Sequence, residues 1–366
     1  MKTAWNHWLR ERVPALDLPL MLALLALILI GLAVLYSAAD GDIALVRSQA
    51  LRSGAGLAAL LVLAQVPPQQ LKLWAPWAFL ATLLLLIPVP FFGTGRSGRH
   101  WLYLGLFYVQ PAELMKLSVP LMVAAFLGNQ TLPPRWRELT ISALIIGLPT
   151  VLIAHQPDLG TALLVAGSGV FTVFFAGISW WRIGLLAGLA ALAAPLAWTL
   201  LIQDYHRRRF LTFMNPEADP LGDGWNIIQS KIAVGSGGLW GHGWGQGTQA
   251  RLEFLPEHTT DFIFAVLAED FGFIGVCAIL ALYLFIIGRS LWISANARDS
   301  FGRMLGAALT LTLFVYVIVN AGMITGLLPV IGVPMPLISY GGTSAVTLLA
   351  GFGIILSLHV HRKRHR

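Results

Sequence analysis

The residues best placed to do chemistry fall in one stretch, 203–270, where cations, carboxylates, glycines and tryptophans interrupt an otherwise apolar chain. Asp261 is the candidate centre. It directly precedes the apolar run FIFAVLA, so its carboxylate stands between water and an apolar wall. Desolvation raises a carboxyl pKa there and a helix N-terminus lowers it. The residue therefore reads either as a proton acceptor or as a first-turn Asp that complements the helix dipole. Pro256 suits a first helical turn, and Thr259 or Thr260 would cap a slightly later start. With a start at Pro256, Glu257 and Asp261 lie four apart on one face. Two such carboxylates divide a proton-transfer task, or one holds a cation; otherwise Glu253 and Glu257 solvate a loop. Arg207, Arg208, Arg209, Lys231 and Arg251 form a cationic set. Guanidinium forks match phosphate or pyrophosphate oxygens; the alternative is attraction to a membrane surface or plain solvation.

Two further acid-bearing motifs stand apart in sequence. Glu113 and Lys116, in QPAELMKLSVP, face the same side of a helix at i, i+3. Charged residues inside a span mark a cavity or a functional site, or an ion pair tying helices together. In HQPDLGTA, His155 and Asp158 sit between two apolar runs, and Asp158 reads as the cap of the second. The run Gly245 to Ala250 formally matches GxGxxA, but no strand precedes it and no GK[ST] follows, which excludes a dinucleotide site and a P-loop. The wider glycine-rich run, Gly235 to Gly247, reads as close backbone packing over the outer membrane surface, with Trp240 and Trp244 as anchors. The tail histidines His359, His361 and His365 read as surface. Pro329, Pro334, Pro336 and the run Ser339 to Ser344 read as a broken, re-entrant approach to the last span, tolerated only where it lines protein or water.

The elements that position these residues are set by composition. The 366 residues are 57% hydrophobic and only 11% charged, where a soluble chain carries roughly a quarter charged residues. Apolar runs recur at the length of about 20 residues needed to cross about 30 Å of hydrocarbon. In lipid every backbone polar group must be paired internally, so these runs are helices. The fold is all-α: a polytopic membrane protein of about ten spans, at about 18–37, 49–66, 74–90, 110–128, 138–155, 159–177, 183–202, 261–288, 304–325 and 341–360. It forms one membrane domain over 1–366, with one large extracytoplasmic loop, 203–260, between spans seven and eight. A basic, aromatic lead-in precedes the first run, which lacks a convincing small-residue cleavage site and reads as a permanent span. The N-terminus, the tail HRKRHR and the loops on their side hold most of the 24 Lys and Arg, so both termini are cytoplasmic. The formal net charge of +7 follows this topology and does not indicate nucleic acid. The single Cys277 lies in an apolar run and forms no intrachain disulfide. No fixed-period repeat and no matched pair of broken helices argues for an inverted-repeat transporter.

In this order the motifs QPAELMKL, HQPDLGTAL, RRRFLTFMNPEADPLGDGWNIIQSKIAVGSGGLWGHGWGQGTQ, FLPEHTTDFIFAVLAED and GLLPVIGVPMPLISYGGTS resemble the SEDS family (shape, elongation, division and sporulation), nearest its rod-shape branch, RodA. The resemblance runs through essentially the whole chain. It implies a peptidoglycan glycosyltransferase that polymerises lipid II, a disaccharide-peptide on undecaprenyl pyrophosphate, at the outer face of the bacterial cytoplasmic (inner) membrane for elongation and cell shape. It also implies a class B penicillin-binding protein as cross-linking partner, beside membrane lipids. The family's essential Asp falls on Asp261, its fourth-span Glu and Lys on Glu113 and Lys116, and its PDLG acid on Asp158. His258-Thr259-Thr260 departs from the more basic or polar pair expected before a single Thr.

On that resemblance Asp261 is the general base for an inverting transfer, and the cationic set neutralises the pyrophosphate leaving group. No organic cofactor is expected; Mg or Mn is an open addition. The competing readings are a lipid II flippase and a non-catalytic scaffold for the penicillin-binding protein. A flippase places polar residues through the membrane centre, whereas here they gather at the outer edge.

Overall fold

The structure is a computed structural model and describes residues 16–95, 99–103, 105, 108–156, 158–200, 204–218, 223–247 and 257–362. A helix stands at each of the ten expected spans. They are α1 (Leu18–Ala38), α2 (Ile43–Gln65), α3 (Pro68–Leu86), α4 (Pro111–Leu127), α5 (Trp136–Ala154), α6 (Leu159–Phe175), α7 (Trp180–Leu200), then α10 (Ile263–Ala295), α11 (Ser300–Ile324) and α12 (Thr343–Val360). Among the described residues six helical segments are long and apolar enough to cross a membrane, and two more are apolar but shorter. The chain is a multi-pass, all-α membrane protein. The second and third spans begin about six residues earlier than expected, because the polar residues around Arg47 and Gln69 continue the helices past their apolar cores.

The region read as a loop is largely helical. It holds α8 (Asp204–Met214), a short 3₁₀ turn and α9 (Asp223–Ser236). Between α3 and α4 a small ribbon pairs β1 (Leu102–Tyr103) with β2 (Tyr108–Val109), antiparallel and in register Leu102↔Val109.

The core sits where α10, α11, α4 and α6 meet. α10 packs on α1, α9 and α11; α11 packs on α6 and α4; α5 flanks α6, and α12 lies along α2. Small residues let these helices approach. A side chain at Gly353 would meet the backbone of Leu60, and one at Gly56 would meet Leu349, the close-contact mode that membrane helices use in the absence of a hydrophobic drive. A residue at Gly31 would collide with the backbone of Leu337, which seats the irregular segment 325–342 against α1.

α10 is not straight. Gly272 breaks it at φ 63°, ψ −166°, a conformation open in practice to glycine alone. A break strands backbone groups that lipid cannot satisfy. The glycine run answers them. Phe273 N donates to Gly238 O (2.9 Å) and Ile274 N to Leu239 O (3.2 Å). In return His242 N donates to Glu269 O and Gly243 N to Asp270 O, each at 3.0 Å. Side chains on Gly237 or Gly241 would collide with the carbonyls of Ala268 and Asp270. The close packing expected of this run is present, but its surface is the broken helix. Trp244 anchors it through Nε1 to Ala33 O at 2.9 Å, while Trp240 is 79% exposed.

Candidate active site

Asp261 lies in a turn, one element short of where a helix starting at Pro256 would have put it. Pro256 itself is outside the described residues. Glu257 takes positive φ (59°), and its carbonyl accepts from Thr260 N (3.0 Å) and Phe262 N (3.2 Å). α10 starts only at Ile263, with Phe262 at the N-cap and no side-chain cap. Glu257 and Asp261 therefore do not share a helical face. The positive φ at Glu257 curls the chain into a turn, and Glu257 Oε2 accepts from Thr260 Oγ1 at 2.7 Å within it.

The turn is held from outside. Tyr340 N donates to Thr259 O (2.9 Å), and Ser339 Oγ donates to Thr260 O (2.6 Å). From α11, Asn320 Nδ2 donates to Asp261 O (2.9 Å) and to Val333 O (2.7 Å). The segment 325–342 thus wraps the Asp261 turn, and a methyl at Gly332 would lie 3.4 Å from Asp261 Oδ2. That segment is irregular, as its prolines lead one to expect, and it lines protein.

Asp261 is partly enclosed. Burial pushes its carboxyl up to about 7, and the negative charges of Glu257 and Asp158 add to the rise, against the opposing pull of Arg209. A carboxylate tuned near neutrality is suited to accept a proton at physiological pH. The cation expected beside it is Arg209 on α8, whose Nη1 also donates to Val330 O at 3.4 Å. Arg207 stands on the same helix, half-buried, and Arg208 is exposed. Lys231 on α9 is exposed, its Nζ 2.6 Å from where a methyl on Gly326 would sit. Arg209 and Lys231 therefore both border the segment 325–342. Arg251 lies outside the described residues.

Asp158 caps α6 as expected, accepting from Thr161 N at 3.0 Å. Its other oxygen accepts from Gln110 Nε2 at 3.0 Å. His155 is exposed and turned back on its own helix, with Nδ1 2.9 Å from Val151 O. Glu113 and Lys116 form a buried ion pair at 2.6 Å. Lys116 also donates to the Tyr316 hydroxyl, and Thr347 Oγ1 donates to Glu113 Oε2 at 3.4 Å. The pair thus joins α4 to α11 and α12, and heads a small cleft walled by Leu117, Leu313 and Phe352. Sequence reasoning brought out Asp261, Asp158, Arg209 and the Glu113–Lys116 pair. It missed Gln110, Tyr316, Asn320 and Ser339. Tyr316 and Asn320 are lone polar residues in an apolar helix, the one signal that pointed to them.

A family model described as cell cycle protein, covering FtsW, RodA and SpoVE, matches residues 16–364. The chain belongs to this family. It is 48% identical over 349 residues to the peptidoglycan glycosyltransferase MrdB of Escherichia coli K12, covering 95% of this chain and 94% of that one. It is 35% identical to stage V sporulation protein E of Bacillus subtilis, over 93% of this chain and 96% of that one. Among solved structures it is similar to a chain from a peptidoglycan synthase complex, studied for its coordination of polymerization and crosslinking. That match has TM-score 0.82 and 34% identity, over 96% and 99% of the two chains. The rod shape determining protein RodA of Thermus thermophilus matches with TM-score 0.72 and 30% identity, over 96% and 98%.

Proposed function

We propose that this family member is a peptidoglycan glycosyltransferase that polymerises lipid II for cell-wall elongation and cell shape, with Asp261 as its general base. The observation that carries the reading is the 48% identity over 95% of the chain to a peptidoglycan glycosyltransferase. The raised carboxyl of Asp261 supports the chemistry. In the reaction the Asp261 carboxylate takes the proton of the acceptor sugar's 4-hydroxyl. That oxygen bonds to the donor's anomeric carbon from the face opposite the pyrophosphate, and the carbon–oxygen bond to the pyrophosphate breaks with inversion. One base suffices for a single displacement. Arg209, with Arg207, Arg208, Lys231 and Arg251, neutralises the departing pyrophosphate. Glu113, Lys116 and Asp158 brace the helices that carry the site.

Among the described residues no group of three or more His, Cys, Asp or Glu stands together as a ligand set. A magnesium or manganese ion bound with the substrate would add to this charge neutralisation, with the carboxylates around Asp261 as the side chains on hand to hold it. The site faces outward from the bacterial inner membrane with both termini cytoplasmic, a reading supported by the Lys and Arg distribution. A class B penicillin-binding protein is the partner, supported by the likeness to a synthase complex of polymerization and crosslinking.

The test is glycan-chain formation from purified lipid II by this protein with its transpeptidase partner, with and without chelator. Polymer from the native protein, lost in Asp261→Asn and kept in Glu257→Gln, is the expected result. Transbilayer movement of labelled lipid II without any polymer would replace the polymerase with a flippase. Full activity in Asp261→Asn would remove the base.

A further inference from the structure

Asn320 is fully buried, at 0% exposure, near the Asp261 end of α11. Both hydrogens of its amide are committed to backbone carbonyls, one to Asp261 itself and one to Val333. Val333 is the neighbour of Gly332, the residue that lies against the Asp261 carboxylate from the other side. This side chain therefore bridges the Asp261 turn and the segment that faces it at the catalytic candidate itself, while Ser339 and Tyr340 bond the preceding residues of the turn. The two carbonyls demand donors, and this identifies which side-chain atom is nitrogen. The remaining atom, Oδ1, is enclosed and has no donor. The side chain keeps its place through the two bonds its amide donates.

We propose that Asn320 is a positioning residue for Asp261. Its amide N–H groups hold the Asp261 turn and the segment 325–342 in one register. The turnover test rests on the glycosyltransferase reading; the bracing of Asp261 stands on the geometry alone.

Two substitutions separate the functions of the amide. Asn320→Asp keeps an acceptor at Oδ1 and loses the donors; Asn320→Leu loses both. Each is purified with the transpeptidase partner, and rates are referred to folded protein by melting in detergent. Expected for both is a fall in kcat of about 10- to 100-fold, the scale set by misplacing a reacting group, with the acid limb of the pH–rate profile displaced. In Asn320→Asp that limb moves to higher pH, because a new carboxylate joins Glu257 and Asp158 against Arg209 around Asp261. KM for lipid II is expected to hold in both, since the buried amide acts through Asp261 and does not reach the substrate. Loss of activity that tracks the loss of folded protein, with kcat per folded molecule and pH profile unchanged, would reduce Asn320 to a packing residue. A second readout does not depend on turnover. The Asp261 carboxyl infrared band, assigned by its disappearance in Asp261→Asn, is titrated in the native protein and in Asn320→Leu. A shifted midpoint supports the bracing even if the native protein makes no glycan, in which case the glycosyltransferase reading alone fails. An unchanged midpoint and an unchanged kcat overturn the inference.

Discussion

Two aspartates begin helices at opposite ends of the bundle, and they are built to opposite purposes. Asp17 caps α1. It accepts from Leu20 N at 3.1 Å and is held by Arg289 through Nη2 at 2.6 Å and Nε at 3.0 Å, with His359 at 3.8 Å. Burial works against its charge, but Arg289 and the capped N–H outweigh that and hold the carboxyl below its usual range. Asp261 has the reverse surroundings. It stands before an uncapped helix, between two other carboxylates, and its carboxyl is raised. The first carboxylate is spent on holding α1 and α10 together. The second, on the proposed reading, is kept for a proton. Position before a helix does not distinguish them; how far neighbouring donors and cations offset burial does.

The comparison breaks hardest at Asp261. Asp261→Asn is expected to lower polymerisation by about 10²- to 10⁴-fold, the usual yield of a general base. It should leave the melting temperature equal or higher. The folded carboxyl binds its proton more tightly than the unfolded chain's, so folding stability falls as pH rises from the ordinary carboxylate value to about 7. The uncharged variant escapes that penalty. Lower melting in Asp261→Asn would show that the residue is structural. In the native protein the rate is expected to fall about tenfold per pH unit below about 7, as the base becomes protonated; a flat profile through that region would put the base elsewhere.

Asp17→Asn should do the opposite, lowering stability by about 1–3 kcal/mol, with part of the pair's worth screened by solvent around Arg289. Rate per folded molecule is expected to hold. Asp17 has a depressed carboxyl, so its contribution is present above the ordinary carboxylate range and lost as pH falls beneath it. The smallest effect sharpens the contrast most. Glu257→Gln removes one of the charges that raise Asp261 and should shift the acid limb of the rate profile downward by less than a pH unit, with polymer still made. A shift upward would mean that Glu257 does not oppose the ionised base.

Much of this was legible in the sequence, for identifiable reasons. Spans could be read because lipid allows little but helices, and Asp158 could be read as a cap because the signal is local. The Glu113–Lys116 pair was visible because charge in an apolar run has few explanations. What escaped depended on distant chain. Glu257 takes a positive φ inside a turn whose carbonyls are bonded by Ser339, Tyr340 and Asn320, some 60 to 80 residues away. No local pattern announces that, so a helix start at Pro256 read as natural. The helices α8 and α9 escaped because RRRFLTFM and WNIIQSKI carry too much polarity for a span and sit in a stretch judged by its charges. The glycine run packs closely, as expected, but the surface it packs on, the break at Gly272, lies about 30 residues on, and no local pattern joins the two.

The break in α10 also separates two reference frames. A straight helix of 33 residues would measure about 50 Å, well beyond about 30 Å of hydrocarbon. Gly272 divides that length. Residues 263–270 are wholly enclosed by protein, whereas Phe273, Ile274, Leu284 and Phe285 beyond the break face outward. The limb beyond the break is therefore the part whose length a bilayer must match, while the limb that carries the Asp261 turn is matched to protein alone.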